Sequence, residues 1–356
     1  MLEASNSRSV QFGRRKKGLK MSGQQGSSYR KDESIECGPC IHPYSTSNRQ
    51  SAATSQDKMS PEIPHKRVWT TLITNTAYLP GLLALEYSLR LVNSKYPLVA
   101  LYTSTFPAEG HAALDARGIA KLEVKYLLPV SSKDYTHDPR FYDCWSKLQP
   151  FGLEQFDRVV QLDSDMIVIK NMDELFDIEL GDNAFAAGWA CVCNPMKFEH
   201  YPRDWIADNC AFTGWYDKLG DRDGEIVGPE VKDQHGLMIC NGGLQVVEPN
   251  KENYDKIIAK MGDDLDYDFA DQSLLSDVFK DKWIGLSFGY NYLKTMRLIH
   301  QDLKFDAVKN IHYILTPKPW NVDRSFDDDT DTFAFWWDIN DKRLEEEKIK
   351  GIADGF

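Results

Sequence analysis

The chain has 356 residues, 42% of them hydrophobic, which is enough to bury one large core or two small ones. Acidic residues outnumber basic ones, 54 against 42, which argues against general electrostatic binding to nucleic acid or to anionic membranes. The sequence has neither an apolar run long enough to span a membrane nor the apolar core of a secretory signal. We therefore expect a cytosolic or nuclear protein, and of the two we take cytoplasmic.

Residues 1–63 are predicted to form a disordered N-terminal tail. They are rich in Ser, Gln, Gly and Lys, so they cannot bury enough apolar surface to offset the entropy of ordering. Cys37-Gly-Pro-Cys40 has the spacing of a redox motif, but its polar surroundings favour an inert tail sequence. The seven cysteines of the chain form no regular disulfide framework and are predicted to be reduced.

Strands and helices are predicted to alternate from Val68 onward. Strand patterns occupy 68–74, 97–103, 121–128, 158–162 and 237–247, and helical patterns occupy 78–92, 111–116, 144–156, 253–261 and the residues after Asp271. This alternation predicts an α/β fold with a Rossmann-like open, mostly parallel sheet and helices on both faces. Ligands of such sheets bind beyond the carboxyl ends of the strands, so we expect the chemistry just after Thr74 and Leu162.

The segment 189–232 breaks the alternation. It is rich in Pro, Gly, Cys, Trp and Asp and has little periodicity, which predicts an irregular insertion over the surface. Long loops of this kind often act as lids over a binding site.

Asp163-Ser164-Asp165 is the sharpest local motif. Its two carboxylates directly follow the apolar run 159–162, so a strand end aims both of them into the expected crevice. Carboxylates suit Mg²⁺ or Mn²⁺, and such an ion can stabilise the charge that builds on a departing diphosphate. An acidic pair in an exposed turn is one alternative. An aspartyl-phosphate hydrolase, which could also use two strand-end carboxylates, is another.

Six segments, in this order, resemble glycosyltransferase family 8, the group that contains glycogenin and galactinol synthase. They are Thr70–Tyr78, Cys144–Leu148, Leu162–Asp165, Cys240–Gly243, Asp271-Gln272 and His312–Asn321. The resemblance implies a single GT-A type catalytic domain, which we place at residues 64–345. It also implies transfer of a hexose from UDP-glucose or UDP-galactose to an acceptor, with retention of the anomeric configuration.

The resemblance implies a nucleotide-binding set. Leu72, Thr74, Asn75 and Tyr78 would bind the uridine, with Ser164 near the ribose and Lys147 beside the diphosphate. A tyrosine at a helix start can stack flat on a base, which agrees with this role. Asn75 could instead simply cap the following helix, and Lys147 could be an ordinary solvated lysine.

The resemblance also implies a metal site. Asp163, Asp165 and His312 would bind Mn²⁺, with Mg²⁺ as the alternative ion, and Lys318 would neutralise the charge of the diphosphate. Leu315 stands where the family usually has glycine, and the family's arginine in the loop before Lys147 has no clean match. These departures leave open a catalytically inactive protein that binds nucleotide sugars.

The sugar of the donor would be held by a third set, which comprises Asn241, Gly242, Asp268, Asp271 and Gln272. Asp271 can accept hydrogen bonds from sugar hydroxyls, and the neutral Gln272 carbonyl can stabilise an oxocarbenium-like centre. The resemblance thus predicts Asp271, Gln272 and Lys318 as catalytic residues. A bare turn at Gly242 and a helix cap at Asp271 are the structural alternatives.

We expect a small polyol or saccharide as the acceptor. The insertion 189–232 carries aromatic residues whose faces suit a sugar or polyol ring, although they could equally form a small core of their own: Trp189, Tyr201, Trp205, Trp215 and Tyr216. Self-glycosylation is not expected, because the run 293–299 has no tyrosine. The sequence leaves open whether the chain forms a homodimer.

Overall fold

The computed structural model describes residues 63–132, 134–135, 140–219, 225–226, 237–328 and 330–356. The chain divides between Asp57 and Lys58 into two units, and every described residue belongs to the second. Apart from Ile63, the predicted disordered tail lies outside the described residues, and so does the Cys37–Cys40 motif.

A seven-stranded sheet forms the centre of the described unit. The strands of the chain are β1 Arg67–Ile73, β2 Leu98–Tyr102, β3 Ala120–Glu123, β4 Ser131–Ser132, β5 Arg158–Leu162, β6 Met166–Val168, β7 Phe185–Trp189, β8 Cys240–Val247, β9 Asp264–Leu265, β10 Trp283–Leu286, β11 Tyr292–Leu293 and β12 Asn310–His312. The large sheet has the order β10-β7-β8-β5-β1-β2-β3, in which β8 runs antiparallel to both neighbours and the other pairs are parallel. Strands β5 and β7 are buried at every residue, as expected where both faces of a sheet are covered. The predicted α/β fold with an open, mostly parallel sheet is confirmed.

Helices connect and cover these strands. They are α1 Leu79–Leu91, α2 Ala108–Ala116, α3 Arg140–Cys144, α4 Trp215–Leu219, α5 Lys251–Lys260, α6 Ala270–Val278, α7 Met296–Ile299 and α8 Phe333–Ile349. Helix α1 passes directly over the turn that follows β5, because Gly81 has no side chain there. A Cβ atom on Gly81 would lie 2.3 Å from the carbonyl oxygen of Ser164. None of the helices among the described residues is long and apolar enough to cross a membrane.

Several predicted elements differ from the observed ones. The strand predicted at 121–128 ends at Glu123, and the helix predicted at 144–156 is instead the short α3 followed by a 3-10 helix, Trp145–Gly152. Pro150 lies within that segment and lacks the amide hydrogen that an α-helix would need, which favours the irregular form. Strand β7 and helix α8 were not predicted. The sequence of β7, Phe-Ala-Ala-Gly-Trp, has no β-branched residue to indicate a strand.

In the described part of the insertion at 189–232, two tryptophans pack into the core. Trp189 ends β7 and Trp215 begins α4, and each side chain is only 1% exposed. Trp189 lies 4.5 Å from Trp283 between ring centroids, and Trp215 packs edge-on against Phe288. An acceptor-facing role for Trp189 and Trp215 is therefore wrong, because both rings are buried in the core.

Candidate active site

Two short strands bring the predicted metal ligands together. Asp163 and Asp165 lie in the turn between β5 and β6, and β6 pairs antiparallel with β12. In that pairing Met166 lies opposite His312, the last residue of β12. The backbone amide of Tyr313 also donates to the carbonyl oxygen of Asp165, 2.8 Å away. A histidine far along the chain is thus fixed beside the acidic turn by backbone pairing.

The three side chains form a cluster with the geometry of a metal site. The Nε2 atom of His312 lies 3.2 Å from Oδ1 of Asp165 and 3.6 Å from Oδ2 of Asp163. One ligand atom from each residue lies within 4.8 Å of the others. The Oδ1 atom of Asp163 is buried and has no hydrogen-bond partner in the described protein, although Oδ2 of the same carboxylate pairs with Lys147, so one oxygen lacks the partner that a buried polar atom requires. A divalent cation bound by these oxygen and nitrogen atoms would supply that partner, so the residues fit such an ion.

Asn291 orients the histidine of this cluster. Its Oδ1 atom lies 3.0 Å from Nδ1 of His312, and its amide nitrogen donates to Oδ1 of Asn241 over 2.8 Å. Since that amide oxygen can only accept, the contact places a proton on Nδ1 and leaves Nε2 free to act as a ligand. Asn291 was not predicted from the sequence.

Two lysines surround the acidic turn. The Nζ atom of Lys147 is 2.8 Å from Oδ2 of Asp163, and that of Lys318 is 2.5 Å from Oδ2 of Asp165. Burial alone would raise the pKa of Asp165, but Lys318 and His312 more than offset this effect and hold its pKa well below the usual range. Burial likewise disfavours the charged form of Lys147, yet the nearby carboxylates, Asp163 foremost, hold its pKa well above normal. The site therefore keeps two cations and two anions together away from water.

The predicted uridine-binding residues lie at the carboxyl end of β1. The Oγ1 atom of Thr74 donates to Asp143 over 2.8 Å, and the Asn75 side chain accepts from the amide of Ala77. Asn75 thus does cap the 3-10 helix Thr76–Tyr78, as the structural alternative proposed. Its amide nitrogen donates to Oγ1 of Thr74 over 3.1 Å, and the residue also lines the cavity described below. Lys318 lies 5.6 Å from the centre of the Tyr78 ring, so the residues predicted to bind the nucleotide adjoin those predicted to bind the metal and diphosphate.

The predicted sugar-binding residues meet where β8 begins and α6 starts. The Oε1 atom of Gln272 lies 3.4 Å from both the amide nitrogen of Gly242 and Nδ2 of Asn241. A Cβ atom on Gly242 would lie 2.4 Å from Oδ2 of Asp271, and one on Gly243 would lie 2.4 Å from the His312 ring. The two glycines therefore allow the strand to approach the Asp271 carboxylate and the His312 ring closely.

Asp271 is buried without a hydrogen-bond partner at Oδ2 in the described protein. Burial raises its pKa to about 7, while Lys147 opposes the rise and Asp163 adds to it. A carboxyl group of this kind changes protonation near neutral pH and is typical of functional sites.

All residues predicted to bind donor, metal or diphosphate line one cavity of about 940 Å³. This size fits a ligand larger than a single sugar. The walls include Leu72, Thr74, Asn75, Tyr78, Lys147, Asp163, Ser164, Asp165, Asn241, Gly242, Asp268, Asp271, Gln272, His312 and Lys318. One wall comes from the insertion, where residues such as Met196, Tyr201 and Trp205 face the cavity.

Comparison with known proteins agrees with this arrangement. The family model described as "Glycosyl transferase family 8" matches residues 70–324. Galactinol synthase 2 of Arabidopsis thaliana is 28% identical over 296 residues, which cover 80% of this chain and 84% of that protein. The R707 protein of Acanthamoeba polyphaga mimivirus is 28% identical over 277 residues, or 74% of this chain and 87% of the relative.

The fold is also found in solved glycosyltransferases. The apo structure of the bifunctional glycosyltransferase WbbM superposes with a TM-score of 0.55 at 17% identity, covering 81% of this chain and 52% of that longer one. At this identity the likeness supports the GT-A type fold alone. The matched family model spans most of the described unit and contains each of the residues brought together in the cavity. The chain therefore belongs to glycosyl transferase family 8 and is a hexosyltransferase.

Proposed function

We propose that this enzyme transfers glucose or galactose from a UDP-sugar to a small polyol or saccharide, with Mn²⁺ or Mg²⁺ bound and with retention of anomeric configuration. The observation that carries the proposal is the cluster of Asp163, Asp165 and His312 at the base of the cavity, flanked by Lys147 and Lys318. A bound divalent cation would be held by these three residues. It would supply a positive charge for the diphosphate leaving group.

The two lysines are proposed to balance the charge of the diphosphate. In the described protein each ammonium group pairs with one carboxylate of the acidic turn. A cation bound by those carboxylates would compete for them, and the lysines could then turn toward phosphate oxygens. Lys318, which also donates to the carbonyl oxygen of Tyr313 over 2.7 Å, is held close to its working position and is assigned the larger catalytic effect.

The donor sugar is proposed to lie against β8 and α6. The Asn241 amide and the backbone at Gly242 would contact its hydroxyl groups, and Asp268 and Asp271 would accept hydrogen bonds from it. The Gln272 carbonyl would face the anomeric carbon and stabilise the positive charge that develops there.

The reaction is proposed to proceed by front-face attack. The acceptor hydroxyl oxygen bonds to the anomeric carbon as the bond between that carbon and the diphosphate oxygen breaks. The hydroxyl proton passes to the departing diphosphate, so the products are the glycoside and UDP. Attack and departure on the same face keep the anomeric configuration.

The acceptor is proposed to bind beside the wall formed by residues 190–205. The name galactinol synthase, which several relatives carry, supports a polyol acceptor and a galactose donor. Tyr290 and Tyr292 lie near the position where glycogenin glycosylates itself. Both are buried, with only 4% and 0% of their surface exposed. The Tyr290 hydroxyl also donates to Glu174, which leaves it unsuited to be an acceptor.

The test is UDP release from a panel of UDP-sugars, each with and without polyols and oligosaccharides, followed by product analysis. We expect release to depend on the acceptor and the product to be a small glycoside with retained configuration. The same reactions are run with radiolabelled UDP-sugars, and label found on the protein itself would overturn the acceptor assignment. UDP binding without consumption of any donor would instead support the inactive alternative. The observation behind that alternative is Leu315, which stands in place of the family's glycine and has a φ of 62°.

A further inference from the structure

A second cluster of metal-ligating side chains lies apart from the acidic turn. It consists of Cys191, Cys193, Cys210 and His300, from each of which one ligand atom lies within 4.8 Å of the others. The first two residues follow β7 at the start of the insertion, and Cys210 follows the 3-10 helix Ala207–Asn209. His300 comes from the segment after α7. Four potential ligands from three separate segments thus converge on one point.

The distances fit tetrahedral coordination. The Nε2 atom of His300 lies 3.4, 3.3 and 3.5 Å from the sulfur atoms of Cys191, Cys193 and Cys210, and the sulfurs of Cys191 and Cys210 are 3.9 Å apart. Zinc bonds of about 2.3 Å to sulfur and about 2.05 Å to nitrogen give a tetrahedron with edges of about 3.8 Å between sulfurs and about 3.6 Å between sulfur and nitrogen. The cluster therefore has nearly the dimensions of a zinc site.

The surroundings of the cluster favour a metal that stays bound. Cys193, Cys210 and His300 are buried and Cys191 is partly buried, and all three cysteines are free thiols. The donor set has three soft sulfur atoms and one imidazole and contains no carboxylate, which favours Zn²⁺ over the Mn²⁺ or Mg²⁺ expected at the acidic turn. Four protein ligands also leave no position open for substrate, which is the pattern of structural zinc.

We propose that Cys191, Cys193, Cys210 and His300 bind a structural Zn²⁺ ion. The ion fastens both ends of the segment 191–210 to the region after α7. That segment includes Met196, Tyr201 and Trp205, which form one wall of the substrate cavity. The zinc ion would thus hold the wall in place, and one of its ligands, Cys191, lines the cavity as well.

The test is metal analysis of the full-length protein, purified without chelators or added zinc and measured by inductively coupled plasma mass spectrometry. We expect about one zinc per chain, released to a colorimetric chelator when a mercurial reagent blocks the thiols. Cobalt substitution should give the near-ultraviolet charge-transfer band of thiolate ligands. Zinc at the Asp163 carboxylates would give neither thiol-dependent release nor that band.

Matched variants locate the ion. Cys210→Ser should lower the bound zinc to below about one tenth per chain, whereas the double variant Cys37→Ser, Cys40→Ser should keep all of it. If Cys210→Ser does not fold, the zinc content and cobalt spectrum of the unaltered protein still decide. Absence of zinc and of the cobalt band, a disulfide between cluster cysteines, or loss of zinc from the tail variant would overturn the proposal. These readouts need no turnover, so their failure would leave the transferase proposal unaffected.

Discussion

Asp163 and Asp165 lie two residues apart but differ in their bonding. Asp165 is buried and holds Lys318 at 2.5 Å and His312 at 3.2 Å. Asp163 is less buried, and its Oδ1 atom has no hydrogen-bond partner in the described protein. The motif does not distinguish the two residues, whereas in the structure Asp165 also pairs with a buried lysine, in addition to its place in the proposed metal site.

This difference predicts different outcomes for the two neutral variants. Asp163→Asn should lower turnover by at least about 100-fold and cost less stability than Asp165→Asn, because its partner Lys147 is 18% exposed whereas Lys318 is 4% exposed. Asp165→Asn should lose turnover and also destabilise the protein by about 3 kcal/mol, because Lys318 loses its buried partner. Urea unfolding and UDP-release assays measure both effects. Equal stability of the two variants would contradict the structural role assigned to Asp165.

Asp271 predicts a dependence of stability on pH. Well below pH 4 its carboxyl is protonated in both the folded and the unfolded chain, so it does not change the free energy of unfolding. As the pH rises from there to about 7, the unfolded chain releases this proton and the folded chain keeps it, which disfavours folding increasingly. The penalty is complete above pH 7.

The free energy of unfolding of Asp271→Asn should therefore exceed that of the unaltered protein by at least about 1 kcal/mol at pH 8, with a much smaller gain at pH 4. The same variant should lose most of its turnover, because its side chain can no longer accept hydrogen bonds at both positions. Denaturant titrations of the metal-free protein at the two pH values provide the comparison. A gain of the same size at pH 4 would show that the carboxyl charge is not the cause.

Asn291 predicts an indirect effect on the metal. Asn291→Ala removes the acceptor that fixes the His312 ring, so the affinity for Mn²⁺ should fall about 10- to 100-fold. Saturating Mn²⁺ should restore much of the turnover, which would not happen if Asn291 merely supported the fold. Activity titrated against Mn²⁺ concentration distinguishes the two cases, and an unchanged half-saturation point would refute the orienting role.

Among the elements around the site, the insertion carries two tyrosines in different surroundings, one on the cavity wall formed by residues 190–205 and one away from it. Tyr201 lines the cavity, where it packs edge-on against Trp205 at 5.1 Å. Tyr216 belongs to the same insertion but does not line the cavity, and its hydroxyl accepts from the amide of Lys304. The two tyrosines therefore provide a matched pair for testing where the acceptor binds.

Tyr201→Leu should raise the KM for the acceptor about tenfold, because the loss of one aromatic contact is worth roughly 1 kcal/mol or slightly more. Tyr216→Leu should change it less than about twofold. Steady-state kinetics at saturating donor give both values. If the two variants shift the acceptor KM equally, the acceptor does not contact this wall.

In the molecule as a whole, we expect transferase activity to need only the second unit of the chain, which begins at Lys58. The matched family model lies entirely within this unit, since it begins at residue 70. Deletion of residues 1–57 should leave the melting temperature and the turnover unchanged, since the composition of this region cannot supply a core. Thermal unfolding and kinetics of the shortened and full-length proteins make the comparison. Aggregation or loss of turnover would show that the tail belongs to the catalytic unit.

The residues that the sequence assigned to the donor side come together in one cavity because they follow strand ends. The turns after β1 and β5 and the start of β8 meet at one region of the sheet once the strand order is known, so motifs there are close in space. Asn291 and His300 were missed because their partners are distant in the chain, 21 and 50 residues away for Asn291 and 90 or more for His300. The spacing of Cys191 and Cys193 is a local signal of metal binding, but it indicates a particular site only once the fold brings His300 beside the two cysteines.

The metal-assisted transfer is decided by UDP release from UDP-galactose and UDP-glucose in the presence of an acceptor, measured with Mn²⁺, with a chelator, and with Asp163→Asn. Release should require the divalent ion, stop on chelation and fall at least about 100-fold in the variant. Release that persists at full rate in the chelated protein and in the variant would refute metal-assisted transfer at this site.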